Sequence, residues 1–138
     1  MAQVTHVLDT SALLAHAFQE PGWERVRGLL HDETAVLGLP APVLFEFQVR
    51  LQEKGVLAQH PETVAEYEAL FDVALPVDNP VANAAFQLKR DTPERLPAID
   101  ALIAACAKVQ DAILVHRDPH IAKVPVHLLK QEVLPPKT

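Results

Sequence analysis

The chain has 138 residues, 49% of them hydrophobic, and a formal net charge of −6 at pH 7. This is enough chain for one domain with its own core, and too apolar for a disordered one. No apolar run approaches the roughly 18–20 residues of a membrane span, and no basic-then-apolar leader opens the sequence. The single cysteine, Cys106, rules out an intrachain disulfide and a thiolate zinc cluster, so a soluble cytoplasmic protein is expected.

In chain order, residues 4–8 (VTHVL) read as a short buried strand, and 12–18 as a helix ended by Pro21 and Gly22. Residues 23–31 place Trp23, Val26, Leu29 and Leu30 at helical spacing, and the β-branched run 34–39 is a second strand. Pro42 suits the first turn of a helix over 43–54, whose apolar face is Val43, Leu44, Phe47 and Leu51 and which stops at Gly55. A helix over 60–71, opened by Pro61 and acids, leads to a third strand at 72–77. Asn79 and Pro80 then cap and start another helix. A charged, proline-containing loop spans 91–97, a strongly apolar helix 98–109, a fourth strand 112–116 and a short fifth strand 124–129. Strands alternating with helices predict an α/β chain with a parallel sheet covered on both faces. One domain, residues 1–138, accounts for all of it, with 134–138 as a frayed tail.

The acidic balance argues against a polyanionic partner, but it is uneven. Residues 1–88 hold 4 Lys/Arg against 12 Asp/Glu, and residues 89–138 hold 8 against 6. A polyanion would be met by the second part, or through a bound cation.

Four acids fall at comparable points of this topology. Asp9 ends the first strand in "VLDTS", and Asp118 follows the fourth in "VHRDP". Asp100 lies in the first turn of the apolar helix, and Glu46 near the start of the helix after strand two. Strand–helix junctions of a parallel sheet open on one edge, so the four converge there. Each also has an ordinary reading: Asp9 as a helix cap, Glu46 paired with Arg50, Asp100 as a dipole-complementing acid and Asp118 as a turn residue. Clustered carboxylates without cysteine or paired histidine suit Mg²⁺ or Mn²⁺, which would attract a phosphate and activate water. Two carboxylates about 4–5 Å apart repel by roughly 3–4 kcal/mol at an effective dielectric near 20, a cost that a cation relieves.

"VLDTSALLA", the Glu in "LFEF", "LPAIDALIAACA" and "ILVHRDPHI" together resemble the PIN domain ribonucleases, and among them the VapC-type toxins of toxin–antitoxin pairs. The resemblance runs from residue 6 to about 127. It implies a small three-layer α/β/α sandwich and metal-dependent endonucleolytic cleavage of RNA. It also implies that Asp9, Glu46, Asp100 and Asp118 are the catalytic, metal-binding quartet for Mg²⁺ or Mn²⁺. Thr10 and Ser11 match the polar positions that touch metal-bound water or phosphate, and Arg117 is placed against RNA phosphate or against a surface acid. An antitoxin is the implied partner. A homodimer is implied through 43–54 and 61–71, where Phe45, Leu51, Val56, Leu57, Tyr67 and Leu70 offer apolar surface.

His116 and His120 depart from the family pattern, which has Thr or Ser at the first position and a second Asp at the other. They read as exposed turn histidines, or else as an extra ligand or phosphate donor. The departures leave a metal-blind scaffold as an alternative. A phosphoacceptor domain or an aspartyl-nucleophile phosphatase fits poorly, because Asp9 has no acidic neighbour and Ser11 fills the slot where the phosphatase needs its second acid.

Overall fold

In a computed structural model that describes residues 3–55 and 60–137, the buried tripeptide His6–Leu8 (β1) is followed without a loop residue to spare by Thr10–Ala17 (α1) and then Trp23–Leu30 (α2). Leu37–Pro40 (β2), Ala41–Glu53 (α3), His60–Glu68 (α4) and Val73–Leu75 (β3) complete the first half. Asn79–Asp91 (α5), Ala98–Val109 (α6), Ile113–His116 (β4) and Gln131–Val133 (β5) complete the second, with a short 3-10 helix at Ile121–Lys123 after β4. The strands form one parallel sheet in the order β3-β2-β1-β4-β5. Helices cover it on both sides, which makes the expected three-layer α/β/α sandwich.

The core follows from composition. β1 and β4 bring Val7, Leu8, Leu114 and Val115 to full burial. α6 presents Ala101, Ile103, Ala104, Ala105, Cys106 and Ala107, all buried; its small side chains let the helix lie close to β1, β4 and α5. Cys106 is therefore a packing residue. β2 can end in Pro40 because α3 begins at the next residue, and Pro42 sits where a first-turn N–H needs no partner. Gly38 allows β3 to approach, since a Cβ there would lie 2.6 Å from Leu75 Cδ1. No described helix is long and apolar enough to cross a membrane.

Several expectations need correction. The fifth strand is Gln131–Val133, not 124–129: Val124 closes the 3-10 helix, Pro125 has no N–H to give, and Val126 is 88% exposed on a turn closed by Leu128 N–H to Pro125 O. The cap of α5 is Asp78, whose carboxylate accepts from Val81 N–H at 3.1 Å, and Asn79 is already helical. The end of the chain is held at Leu134, which is 4% exposed and donates its N–H to His116 O. In the proposed dimer segment Leu51 is core and Tyr67 and Leu70 are half-buried, leaving Phe45 exposed at 63%; Val56 and Leu57 lie outside the described residues.

Candidate active site

β1 and β4 are neighbours although most of the chain separates them, so the sheet changes winding direction between them. The crevice beyond the carboxyl ends of two such strands is where open α/β sheets bind ligands. Asp9 leaves β1 there and Asp118 leaves β4. Asp9 is 3% exposed and is a helix cap: its Oδ2 accepts from Ser11 N–H at 3.2 Å and from Ser11 Oγ at 2.6 Å. The same Ser11 hydroxyl accepts from Arg117 N–H at 3.0 Å, so one side chain ties together the ends of both strands. The capping and site readings of Asp9 are compatible.

Glu46, on α3, accepts at Oε1 from Thr10 Oγ1 at 2.8 Å rather than pairing with Arg50, which meets Glu53 at 3.4 Å. Asp118 accepts at Oδ1 from the N–H groups of His120 (2.7 Å) and Ile121 (3.1 Å), which starts the 3-10 helix. Asp100 projects from the first turn of α6 with 14% of its side chain exposed. All four carboxylates, with Thr10, Ser11, Leu14 and Arg50, line one cleft of about 90 Å³.

The charges in this cleft do not balance. Burial raises the Asp100 pKa first, and the carboxylates of Asp118, Asp9 and Glu46 raise it further, to about 7. Burial likewise pushes Asp9 above the usual carboxylate range, with Asp118 adding to the push and the Ser11 hydrogen bonds opposing it. Like charges held together at a buried edge favour a proton or a cation between them. An all-oxygen donor set of this kind fits a hard divalent ion, which leaves coordination positions for water and phosphate.

The two histidines part company. His120 is 42% exposed, with Nδ1 3.6 Å from Asp118 Oδ1 and 3.9 Å from Asp100 Oδ2, close enough for the three to share an ion. His116, expected in an exposed turn, is fully buried at the end of β4. Its Nδ1 accepts from Asp118 N–H at 3.0 Å, which places the ring proton on Nε2, 2.8 Å from Gln131 Oε1. Gln131 donates onward to Val124 O at 3.0 Å. His116 therefore sets the direction of the loop that carries Asp118. Both of its ring nitrogens are engaged by protein groups.

Arg117 takes the acid partner of its two expected ones, and the pair is not a surface one. Its Nη2 donates to Glu20 Oε1, with 10% and 15% of the two side chains exposed, and Lys137 reaches Glu20 Oε2 at 3.2 Å. Burial would raise the Glu20 pKa, but the hydrogen bonds and charges of Arg117 and Lys137 outweigh it and hold the pKa below its ordinary value. Glu20, Lys137 and Gln131 escaped sequence reasoning. Each lies in a segment that reads as loop or tail, and only the fold shows that these segments meet.

No curated protein matches the chain in sequence. Among solved structures, the DNA-bound VapBC of Salmonella typhimurium superposes with a TM-score of 0.77 at 16% identity, over 94% of this chain and 98% of that one. VapBC2 of Rickettsia felis, bound to a promoter fragment, gives 0.75 at 16% identity, over 96% and 100%. The sarcin–ricin-loop-cleaving toxin VapC20 of Mycobacterium tuberculosis gives 0.68 at 16% identity, over 86% and 93%. At such identity these likenesses speak for the fold. A family model for the PIN domain matches residues 6–126, nearly the whole of the sheet and every acid of the cleft, and the chain belongs to the PIN domain family.

Proposed function

We propose that this protein is a divalent-metal-dependent endoribonuclease and the toxin of a toxin–antitoxin pair. The observation that carries the reading is the cleft itself, where four carboxylates from the starts of α1 and α6, the second turn of α3 and the loop after β4 face one another, and where burial and the other three raise the Asp100 pKa to about 7. Asp9, Glu46, Asp100 and Asp118 would hold Mg²⁺ or Mn²⁺, with His120 beside them. When bound, such an ion polarises a phosphodiester and acidifies the attacking water. The chain's own part is placement. Ser11 fixes Asp9, Thr10 fixes Glu46, and two backbone N–H groups fix Asp118, so the donors are arranged before any ion arrives.

The solved likenesses include a toxin–antitoxin complex from Klebsiella pneumoniae and a toxin that cleaves the sarcin–ricin loop, which supports RNA as the substrate and a second, antitoxin chain as the partner. The exposed Phe45 of α3, beside Val49, supports an apolar contact there, either with a second copy as a homodimer or with the antitoxin. The cytoplasm is the expected setting.

The test is cleavage of a mixed-sequence RNA with Mn²⁺, with EDTA, and by Asp9→Asn in Mn²⁺. Cleavage that needs both the ion and Asp9 is the expected result. No cleavage, together with no effect of Mn²⁺ on the melting temperature, would favour the scaffold reading that the two histidine departures leave open.

A further inference from the structure

Beside the acid-lined cleft lies a second, larger one of about 270 Å³, and the two share Ser11, Leu14, Arg50 and Asp118. Its remaining walls come from Phe18, Glu20, Lys54, Arg117, Pro119 and Lys137. Four of the chain's 12 Lys/Arg residues line it against two acids, in a protein whose net charge is −6. The positive excess is not cancelled locally. Glu20 is one carboxylate divided between Arg117 and Lys137. Lys54 stands 5.6 Å from the centre of the Phe18 ring, and Arg50 meets Glu53 in an exposed pair, an arrangement worth little. Beneath them Arg117 Nη1 is buried with no acceptor among the described residues, although the side chain is nine-tenths buried. A guanidinium with one donor unpaired adds positive charge to the wall of the cleft that its single bond to Glu20 does not fully offset.

We propose that this basic cleft is a substrate subsite that takes a phosphodiester of single-stranded RNA next to the one held at the acidic cleft, with Arg50 at the junction and Lys54 and Lys137 on the rim. The proposal rests on the nuclease reading for the direction in which the strand runs. Continuity between the two clefts favours a polynucleotide over an acidic peptide, because a polynucleotide carries a charge on every linkage, so the phosphate next to the one at the acidic cleft falls among the cations of the second.

The test measures binding of a fluorescein-labelled single-stranded RNA in EDTA, by anisotropy at several salt concentrations. It uses the full chain and its Lys54→Gln/Lys137→Gln variant, which shifts the net charge by the same two units as the control. Lys130→Glu, which removes a cation paired with Asp111 at the far end of β4, is the control for net charge. The expected result is a tenfold or greater loss of affinity in the double variant, with little change for Lys130→Glu. The log–log salt slope of the double variant should fall by roughly 0.7 for each phosphate that is no longer neutralised. Equal affinity and slope in all three would overturn the proposal. So would an unmodified chain that binds an Asp/Glu-rich peptide and no RNA. Lys54 and Lys137 are exposed, so loss of fold is not expected, and melting curves check it. Cleavage in Mn²⁺ is scored separately. Charge-dependent RNA binding without cleavage would sink the nuclease reading and leave the subsite standing, and cleavage with unchanged binding would do the reverse.

Discussion

Glu20 and Asp100 lie in adjoining clefts and are almost equally buried, with 15% and 14% of their side chains exposed, yet their pKa values move in opposite directions. Glu20 is held low by Arg117 and Lys137, whereas Asp100 is pushed to about 7 by burial and three other carboxylates. Burial acts on both in the same sense. What differs is the company each keeps: the first acid has its cations built into the chain, and the second forms no salt bridge to lysine or arginine among the described residues, the charge of Arg95 being the last and smallest influence on it. A carboxylate paired by protein is structure, and a carboxylate crowded by its own kind is a place for something the protein does not supply.

Breaking the unpaired side of this comparison has the largest expected effect. Asp9→Asn or Asp100→Asn lowers Mn²⁺-dependent RNA cleavage by a hundredfold or more, a scale of about 3 kcal/mol or above in transition-state stabilisation, read from initial rates. Asp100→Asn meanwhile leaves the metal-free protein as stable as before or more so, because repulsion is relieved. The proton on Asp100 makes the second prediction. The folded chain binds that proton more tightly than the unfolded chain does. Its contribution to stability is therefore complete below about pH 4 and is lost as the pH rises to 7 and beyond. Urea denaturation in EDTA should show stability falling by a few kcal/mol between pH 5 and pH 8, with Mn²⁺ restoring it and Asp100→Asn flattening the curve.

Breaking the paired side costs stability rather than chemistry. Glu20→Gln leaves the nearly buried Arg117 charge without its counterion and should destabilise the fold by about 3 kcal/mol, measured by denaturant midpoint. His120→Ala sharpens the comparison at the edge proposed to hold the metal. Imidazole suits Mn²⁺ better than Mg²⁺, so the variant should lose about tenfold in Mn²⁺ affinity by calorimetry and little for Mg²⁺. The smallest effect is expected at Gly22, whose φ of +95° suits glycine and whose Cβ, if present, would lie 3.2 Å from Leu134 Cβ. Gly22→Ala should cost about 1 kcal/mol.

The acids of the cleft were legible in the sequence because each stands at a junction whose chemistry is local. "LDTS" is a strand end, a cap and a first turn in four residues, and Asp100 follows Pro97 into a helix of unmistakable apolar pattern. Hidden from the sequence was whatever depends on strand order. Nothing in "ILVHRDP" says that β4 lies against β1, so the sequence puts Asp118 on the same edge as Asp9 without showing that their strands are neighbours or that His116 will be fully buried. β5 escaped for a related reason. As an edge strand of three half-exposed residues it lacks the apolar signature, whereas the more apolar 124–129 resembles a strand and is a turn. The Glu20–Arg117 pair joins two loops, and loops carry no periodicity from which such a meeting could be read.

The central position of β1 also bears on how the chain is made. Asp9 and Glu46 emerge early in synthesis, but β1 pairs on one side with β2 and on the other with β4, and Asp100 and Asp118 arrive only with α6 and the loop after β4. Until then one edge of β1 has no partner, the kind of exposed edge that chains keep covered. On the ribosome, a partly made chain therefore has two of the four acids and no complete cleft. The cleft is complete only once β4 has taken its place beside β1, so a truncated translation product that ends before α6 holds Asp9 and Glu46 without the other two carboxylates.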